Sequence, residues 1–370
     1  MTQTPIPFLF MRGGSSRGPY FNRADLPADQ DALARVLIEV IGAGHQNNID
    51  GIGGGTAVTT KVAMLSRSAA PGIDVDYFFG QVAVDAREVD FGPTCGNILV
   101  GVGPAALEMG LVQASGDVTR VMIRAVNTGA IVEATVQTPG GHVTYAGDTV
   151  IDGVLGSAAP VGVSFLGVVG TSCGAMLPTG HLCDVIDGVA VTCMDVAMPM
   201  MLARADAFGL TGQETAAELD ANTALFTRME AIRLQAGRMM GLGDVARSVT
   251  PKIGLLSTAK AGGTISARYF MPWKTHPTMA VTGSQCIAAC ALTPGTVADG
   301  LAHLPQGTPA VINVEHPQGS IEVTVDYTTG PEGAVIKSAG LIRSARLIAR
   351  GEVMVPSALM STAQVHAPRP

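Results

Sequence analysis

The chain reads as an α+β protein made of two similar halves. Strand-like runs outnumber helical ones, glycine- and proline-rich turns separate many of them, and one eight-residue motif returns half a chain later. A length of 370 residues fits two domains of comparable size. With 47% apolar and only 14% charged residues there is ample material for buried cores. Aromatics are scarce at 4% while glycine reaches 46 residues, which points to tight turns and close backbone packing among small aliphatic side chains.

Alternating apolar residues predict strands at Val75–Val84, Val118–Ile123, Ile131–Val136, Ala310–Val314 and Ile321–Tyr327. Pro139-Gly140-Gly141 marks a hairpin turn. Helical spacing predicts helices at Gln30–Ile41, Gly96–Met109, Ala216–Met239 and Cys286–Ala291. In the longest of them, Leu225, Met229 and Ile232 share one face. Many hairpin-linked strands favour antiparallel or mixed sheets over a doubly wound parallel one.

The repeat is the most informative feature. TTKVAMLS at 59–66 returns as TPKIGLLS at 250–257, an offset of 191 residues that carries Lys61 onto Lys252. The same offset carries Gly92-x-x-Cys95 onto Gly283-x-x-Cys286. Each half is therefore expected to hold a lysine-bearing strand followed by a cysteine that opens an apolar helix. Two such halves, 1–184 and 185–370, would place helix N-termini at a shared cleft, with the final strand packing back on the first domain. Free N–H groups at helix starts favour carboxylates and can stabilise a thiolate.

Several classes are excluded. A formal net charge of −7 with no basic run argues against a nucleic-acid partner. Mean hydropathy is positive, yet no apolar stretch of about 18 residues is present to cross a membrane. The start has no basic region typical of a secretory signal, so the cytoplasm is the expected compartment. The six cysteines form no CxxC pair and no metal-ligand spacing, so reduced and mostly buried thiols are expected, with no metal. MRGGSSRG at 11–18 lacks the spacing of a nucleotide-binding loop and reads as an anion-binding turn or a surface hairpin. IDGIGGG at 49–55 suggests backbone close to a ligand.

Taken in order, MRGGSSRG, IDGIGGG, TTKVAML, DVDYFFGQVAVD, CGNILVGVGPAALEMGLV, YAGDTVIDGV, SCGAMLPTG, LGDV and EHPQG resemble the blocks of PrpF-like isomerases from about Phe8 to about Val355. Within that family, CGNILVGVGP, YAGDTVIDGV and EAIRLQAGRMMGLGDV are most similar to 4-oxalomesaconate tautomerases of aromatic-acid breakdown. The resemblance implies a diaminopimelate-epimerase-like fold, two pseudo-symmetric domains each with a barrel-like sheet around a central helix and the site between them. It implies a 1,3-proton shift or keto–enol tautomerisation of an unsaturated polycarboxylate without a cofactor. Lys61 and Cys95 match the family's catalytic positions. Arg12, Ser15, Ser16, Gly54, Gly96, Asn97, Ser172, Thr179, Lys252, Arg268, Ser284 and His316 fall where substrate contacts are expected. A small polycarboxylate is the expected partner, and a homodimer the expected assembly. Intrinsic acidities make Cys95 the base and Lys61 the acid or charge stabiliser, whereas the resemblance favours Lys61 as principal acid/base.

Some positions depart from the tautomerase pattern. DVAMP at 195–199 stands where DNGMP is usual, Asn47-Asn48 replaces an Arg-Gln or Lys-Gln pair, SSRG replaces TSKG, and the segment around Trp273, the chain's only tryptophan, diverges. These changes keep open a methylaconitate- or aconitate-type substrate. Two other classes stay in view: a non-catalytic carboxylate-binding protein, and a racemase or epimerase using Cys95 and Cys286 as a pair.

Overall fold

The computed structural model describes residues 2–151, 154–330 and 333–360; Asp152 and Gly153 of the YAGDTVIDGV block lie outside them. The chain divides by its internal contacts into two compact units, Met1–Val163 with Ile342–Pro370, and Ser164–Leu341. The sequence-based boundary at 184/185 differs from this one because β8 (Pro160–Leu166) and the loop after it lead into the second unit earlier.

Unit 1 contains β1 (Gln3–Gly13), β2 (Ser16–Asn22), α1 (Gln30–Ile41), β3 (Lys61–Arg67), β4 (Val75–Val82), β5 (Val89–Asp90), α2 (Gly96–Val100), α3 (Val102–Glu108), β6 (Val118–Ala125) and β7 (Ile131–Gln137). The pairings run antiparallel β1–β2, parallel β2–β3, antiparallel β3–β4, parallel β4–β6 and antiparallel β6–β7. Parallel neighbours need a crossover, and here the crossovers are α1 and the α2–α3 pair. Asp29 caps the start of α1 by accepting from the Ala32 N–H at 2.8 Å. Gly42 in the left-handed region ends it. The apolar face of α1 packs Leu33, Val36, Leu37 and Ile41 against Phe21, Val62 and Met64.

Unit 2 contains β9 (Asp184–Ile186), β10 (Val189–Asp195), β11 (Pro199–Arg204), α4 (Ala216–Asp220), α5 (Thr223–Met239), β12 (Lys252–Ser257), β13 (Ile265–Phe270), α6 (Val281–Leu292), β14 (Ala310–His316) and β15 (Gly319–Gly330). Antiparallel β10–β11, parallel β11–β12, antiparallel β12–β13, parallel β13–β14 and antiparallel β14–β15 repeat the unit 1 pattern in the same order. The crossovers again are helices, α5 and α6. Lys61 and Lys252 each open the third strand of this pattern. The last strand, β16 (Gly333–Pro356), pairs its first part with β15 and its last part with β1.

In each unit a curved sheet wraps a helix. Every residue of α6 from Gly283 to Leu292 is buried, and β10 through β15 all touch it. In unit 1, α2 meets β1, β2 and β3, while α3 meets β3, β6 and β7. This is the α+β architecture of two similarly built units expected from the sequence. Among the described residues no helix is long and apolar enough to cross a membrane.

Four expectations need correction. The helix expected over Gly96–Met109 is broken at Gly101, and that over 216–239 is broken between Asp220 and Thr223, where Asn222 caps α5. Pro139–Gly141 forms a short 3-10 turn. Most importantly, α6 starts at Val281, so Cys286 lies inside it and does not open it as Cys95 opens α2. The run TMAV ahead of Gly283 is apolar enough to extend the helix backward into the core, and periodicity alone did not reveal that start.

Two close approaches in this scaffold are testable. A Cβ on Gly18 would lie 1.7 Å from the Lys61 carbonyl oxygen, a backbone atom with nowhere to go. Gly18→Ala should therefore destabilise by about 2–4 kcal/mol or prevent folding, read from thermal unfolding; a wild-type midpoint would contradict the packing. In unit 2 the Glu315 carboxylate accepts the N–H groups of Lys260, Ala261 and Gly263 at 2.7, 2.6 and 2.9 Å. Burial opposes its charge, but these three bonds outweigh that and hold the carboxyl below the usual range. A depressed folded-state pKa stabilises above the unfolded value and loses that contribution as pH falls through the folded one. Glu315→Gln should cost about 2 kcal/mol near neutrality, measured from urea midpoints. The gap to wild type should close in acid, and a gap that stays constant would refute the charge-based account.

Candidate active site

Lys61 and Cys95, separated by 34 positions in the chain, meet in unit 1 with Nζ 3.1 Å from Sγ. Three local features bring them together. Lys61 is half-buried at the first position of β3, and Gly18 of β2 leaves room for its backbone. Cys95, 8% exposed, has extended backbone at the N-cap of α2 and makes no side-chain cap bond, so its thiol is free to face the lysine. Nζ also lies 5.8 Å from the centroid of the Phe79 ring, in cation–π contact with its face.

Around the pair, the first turn of α2 packs on the turn between β1 and β2. Asn97 Oδ1 accepts the Ser15 N–H at 3.3 Å. A Cβ on Gly13 would lie 2.4 Å from the Asn97 carbonyl, so the turn fits only with glycine there. Gly96 opens α2 with nothing within 4 Å of a notional Cβ, which leaves open space beside Cys95. Ser15 is exposed, whereas Ser16 is 3% exposed and its Oγ has no hydrogen-bond partner among the described residues. A buried hydroxyl left unsatisfied by the protein is suited to a ligand atom. Gly54 makes room for the Thr59 hydroxyl and the Arg17 guanidinium, just ahead of Lys61.

Other expected contacts are committed to the scaffold. Arg12 donates to the carbonyls of Gly14 and Ser344 at 2.8 and 2.9 Å and to Ser344 Oγ at 3.1 Å, tying β1 to β16. In unit 2, Arg268 is 4% exposed and donates to the carbonyls of Glu214 and Ala267, while Ser284 donates to the Val281 carbonyl one turn back in α6. Thr179 donates to Asp184 at 2.7 Å. His316 sits at the β14–β15 hairpin, where its Nδ1 accepts the Gln318 N–H at 3.3 Å. The Ser172 and Cys173 N–H groups, each at 2.7 Å, bind the buried Asp195 carboxylate. Burial and the charge of Arg233 lower the pKa of Lys252, the repeat counterpart of Lys61.

The remaining cysteines differ from Cys95. Burial, with the nearby Asp195 charge, pushes the Cys173 thiol up to about 11. Cys286 is fully buried in mid-helix, its thiol faces the Met194 carbonyl at 3.6 Å, and burial raises its pKa well above the usual value. Cys286 therefore lacks the helix-start position that Cys95 has. Among the described residues no group of three or more His, Cys, Asp and Glu side chains converges to hold a metal.

Three residues beside the pair escaped sequence reasoning. Phe79 underlies Lys61, the Tyr77 hydroxyl donates to the Cys95 carbonyl at 3.4 Å, and the Tyr20 hydroxyl donates to the Ile98 carbonyl at 2.6 Å. The available signal was the i, i+2 spacing of Tyr77 and Phe79 on one strand face, in a chain otherwise poor in aromatics.

Known proteins resemble this chain over nearly its whole length. A 4-oxalomesaconate tautomerase from Pseudomonas putida is 49% identical, covering 96% of this chain and 97% of its own. A (4E)-oxalomesaconate Delta-isomerase from Novosphingobium sp. is 46% identical, covering 94% and 97%. The crystal structure of a methylitaconate-delta-isomerase superposes with a TM-score of 0.89 at 31% identity over the full length of both chains. The profile of the PrpF protein family matches residues 3–356. With a match over nearly its whole length, this chain belongs to the PrpF family.

Proposed function

We propose that this chain is an isomerase that moves a proton on 4-oxalomesaconate, with Lys61 and Cys95 as the acid–base pair. The observation that carries the reading is the 3.1 Å separation of Lys61 Nζ and Cys95 Sγ. Two groups that close can pass one proton between them, so a proton removed at one position of the substrate can be returned at another. The carbon between the keto group and the C=C bond of the substrate is acidified by both, and losing its proton gives a dienolate. The Lys61 ammonium is suited to stabilise that developing negative charge, and the partly enclosed site strengthens the interaction. Reprotonation at the keto oxygen, or at the far end of the conjugated system, completes the tautomerisation. Each proton removed is returned, so no electrons leave the substrate and no redox partner is required.

Substrate-binding roles go to the groups around α2. Ser16 Oγ, Asn97 and the Ser15 backbone are the polar groups we assign to the substrate carboxylates. Arg12 and Arg268 would act by holding the scaffold. Two relatives named for oxalomesaconate, at nearly half identity, support the substrate. The departures once favouring a methylaconitate-type acid weaken as arguments because two of them are packing positions. Asn48 is 1% exposed and its amide donates to the carbonyls of Gly42, His45 and Val84, while Val196 is fully buried in the unit 2 core. We place the enzyme in the cytoplasm, acting on a free small molecule.

Lys61→Met keeps the apolar stem and the strand. Steady-state activity should fall about a hundredfold or more with the fold intact by circular dichroism; a tenth of wild-type activity remaining would remove Lys61 from the mechanism. Substrate is best tested by incubating 4-oxalomesaconate, methylaconitate and aconitate with the protein in D₂O with chelator, followed by NMR. Deuterium should enter 4-oxalomesaconate fastest. Exchange confined to the other two acids would move the assignment to them, and exchange in none would support a carboxylate-binding protein.

A further inference from the structure

Cys95 caps a helix of only five residues, too short to fix the direction of its own first residue. Something outside α2 must hold it. Tyr20 of β2 is fully buried, and its hydroxyl reaches into the first turn of α2, where it donates to the Ile98 carbonyl at 2.6 Å. That carbonyl also accepts the Gly101 N–H at 2.9 Å, an i→i+3 bond, and the helix breaks there. The seat of the hydroxyl is walled by two glycines. A Cβ on Gly101 would lie 2.3 Å from the Tyr20 oxygen, and one on Gly13 would lie 2.9 Å from it.

Gly101 has φ −81° and ψ −10°, ordinary right-handed angles that any residue adopts. Nothing in its backbone asks for glycine; room for the Tyr20 hydroxyl does. The same strand carries Gly18 against the Lys61 carbonyl, and Tyr20 pairs in register with Ala63, two residues beyond Lys61. One strand thus sets the backbone of Lys61 and the turn that begins at Cys95. Tyr77 adds a second, longer bond to the Cys95 carbonyl itself. Burial holds the Tyr20 phenol well above its usual range, with the nearby Cys95 adding to this, so the hydroxyl stays a donor.

We propose that Tyr20 is a positioning residue for the Lys61–Cys95 pair: its hydroxyl, seated between Gly13 and Gly101 on the Ile98 carbonyl, aims Cys95 Sγ at Lys61 Nζ. The inference rests on reading that pair as the proton-transfer centre. It is distinct from a general packing role, because removing one oxygen leaves the ring, the core and the Gly101–Ile98 bond in place.

The experiment compares wild type with Tyr20→Phe in two ways. Turnover should show kcat reduced about tenfold or more with KM within about twofold, since a small misplacement of a reacting group costs rate and not binding. Carbamidomethylation of Cys95 by iodoacetamide at neutral pH, followed by mass spectrometry of its peptide, should slow at least about fivefold as the thiol loses the neighbouring ammonium. Gly101→Ala retains the hydroxyl but intrudes on its seat, and the same two changes are expected; it decides the matter if the Phe variant does not fold. A Tyr20→Phe protein with wild-type kcat and wild-type Cys95 alkylation, whatever its melting temperature, would overturn the proposal. Slowed alkylation in the variant, alongside a wild type that converts none of the acids, would keep the positioning role and sink the isomerase reading.

Discussion

Strand β2 lies against the Lys61 carbonyl at Gly18 and, through Tyr20, against the first turn of the helix that Cys95 opens, and glycines make room for both contacts. At Gly18 it lies so close to β3 that a single methyl group would overlap the Lys61 carbonyl. Two residues along, Tyr20 fills the space that Gly13 and Gly101 leave and bonds the first turn of α2. The 3.1 Å contact between Nζ and Sγ is the sum of these two backbone placements. Neither residue is pre-arranged by its own element: a strand start is free to splay, and a five-residue helix has little cooperative stiffness. Precision in the side chains is inherited from tight packing of the main chain beneath them.

Buried polar groups elsewhere show the opposite allocation. Arg233 is fully buried on α5 with its guanidinium on both Glu230 oxygens and on the carbonyls of Val245, Ser248 and Thr250. Asn48 uses its amide on three carbonyls and its oxygen on the Gly55 N–H. Glu315 and Asp195 bind backbone N–H groups of irregular loops. Each removes a polar group from water and repays that cost with bonds that give shape to a loop. Ser16 is buried with an oxygen that no described residue satisfies, as is Asp195 Oδ1; what sets Ser16 apart is its place in the turn that packs on α2, beside the Lys61–Cys95 pair.

The duplication explains the fold better than it explains the chemistry. Both units pair their strands in the same sense and order around an enclosed helix, and a lysine opens the third strand in each. The surroundings then diverge. Lys61 meets a thiol, whereas burial and the charge of Arg233 lower the pKa of Lys252, and the Lys252 charge adds to the burial that lowers His276. Cys286, one offset beyond Cys95, is packed in mid-helix among aliphatic side chains. Strand order survives because hydrophobic burial tolerates many sequences. A reactive pair demands two specific side chains in one orientation, and among the described residues Lys61 and Cys95 of unit 1 meet that demand.

Much was legible in the residues alone. The alternating runs marked β4, β6, β7 and β14 nearly to their ends, because half-buried strands must place apolar side chains at every second position. The shared offset of the two lysine motifs exposed the repeat, and the ordered blocks singled out Lys61 and Cys95. Their meeting at 3.1 Å could not be read that way, since 34 residues and the pairings of β3 with β4 and of β4 with β5 lie between them. Nor could the sequence tell that Arg268 and Ser284 would bond their own scaffold, or that α6 would begin five residues before Cys286. Those outcomes depend on which backbone carbonyl lies within about 3 Å of a given side chain. Local pattern determined the strands, the repeat and the reactive residue types; only the packing of β2 on β3 and on α2 decided which of them face one another.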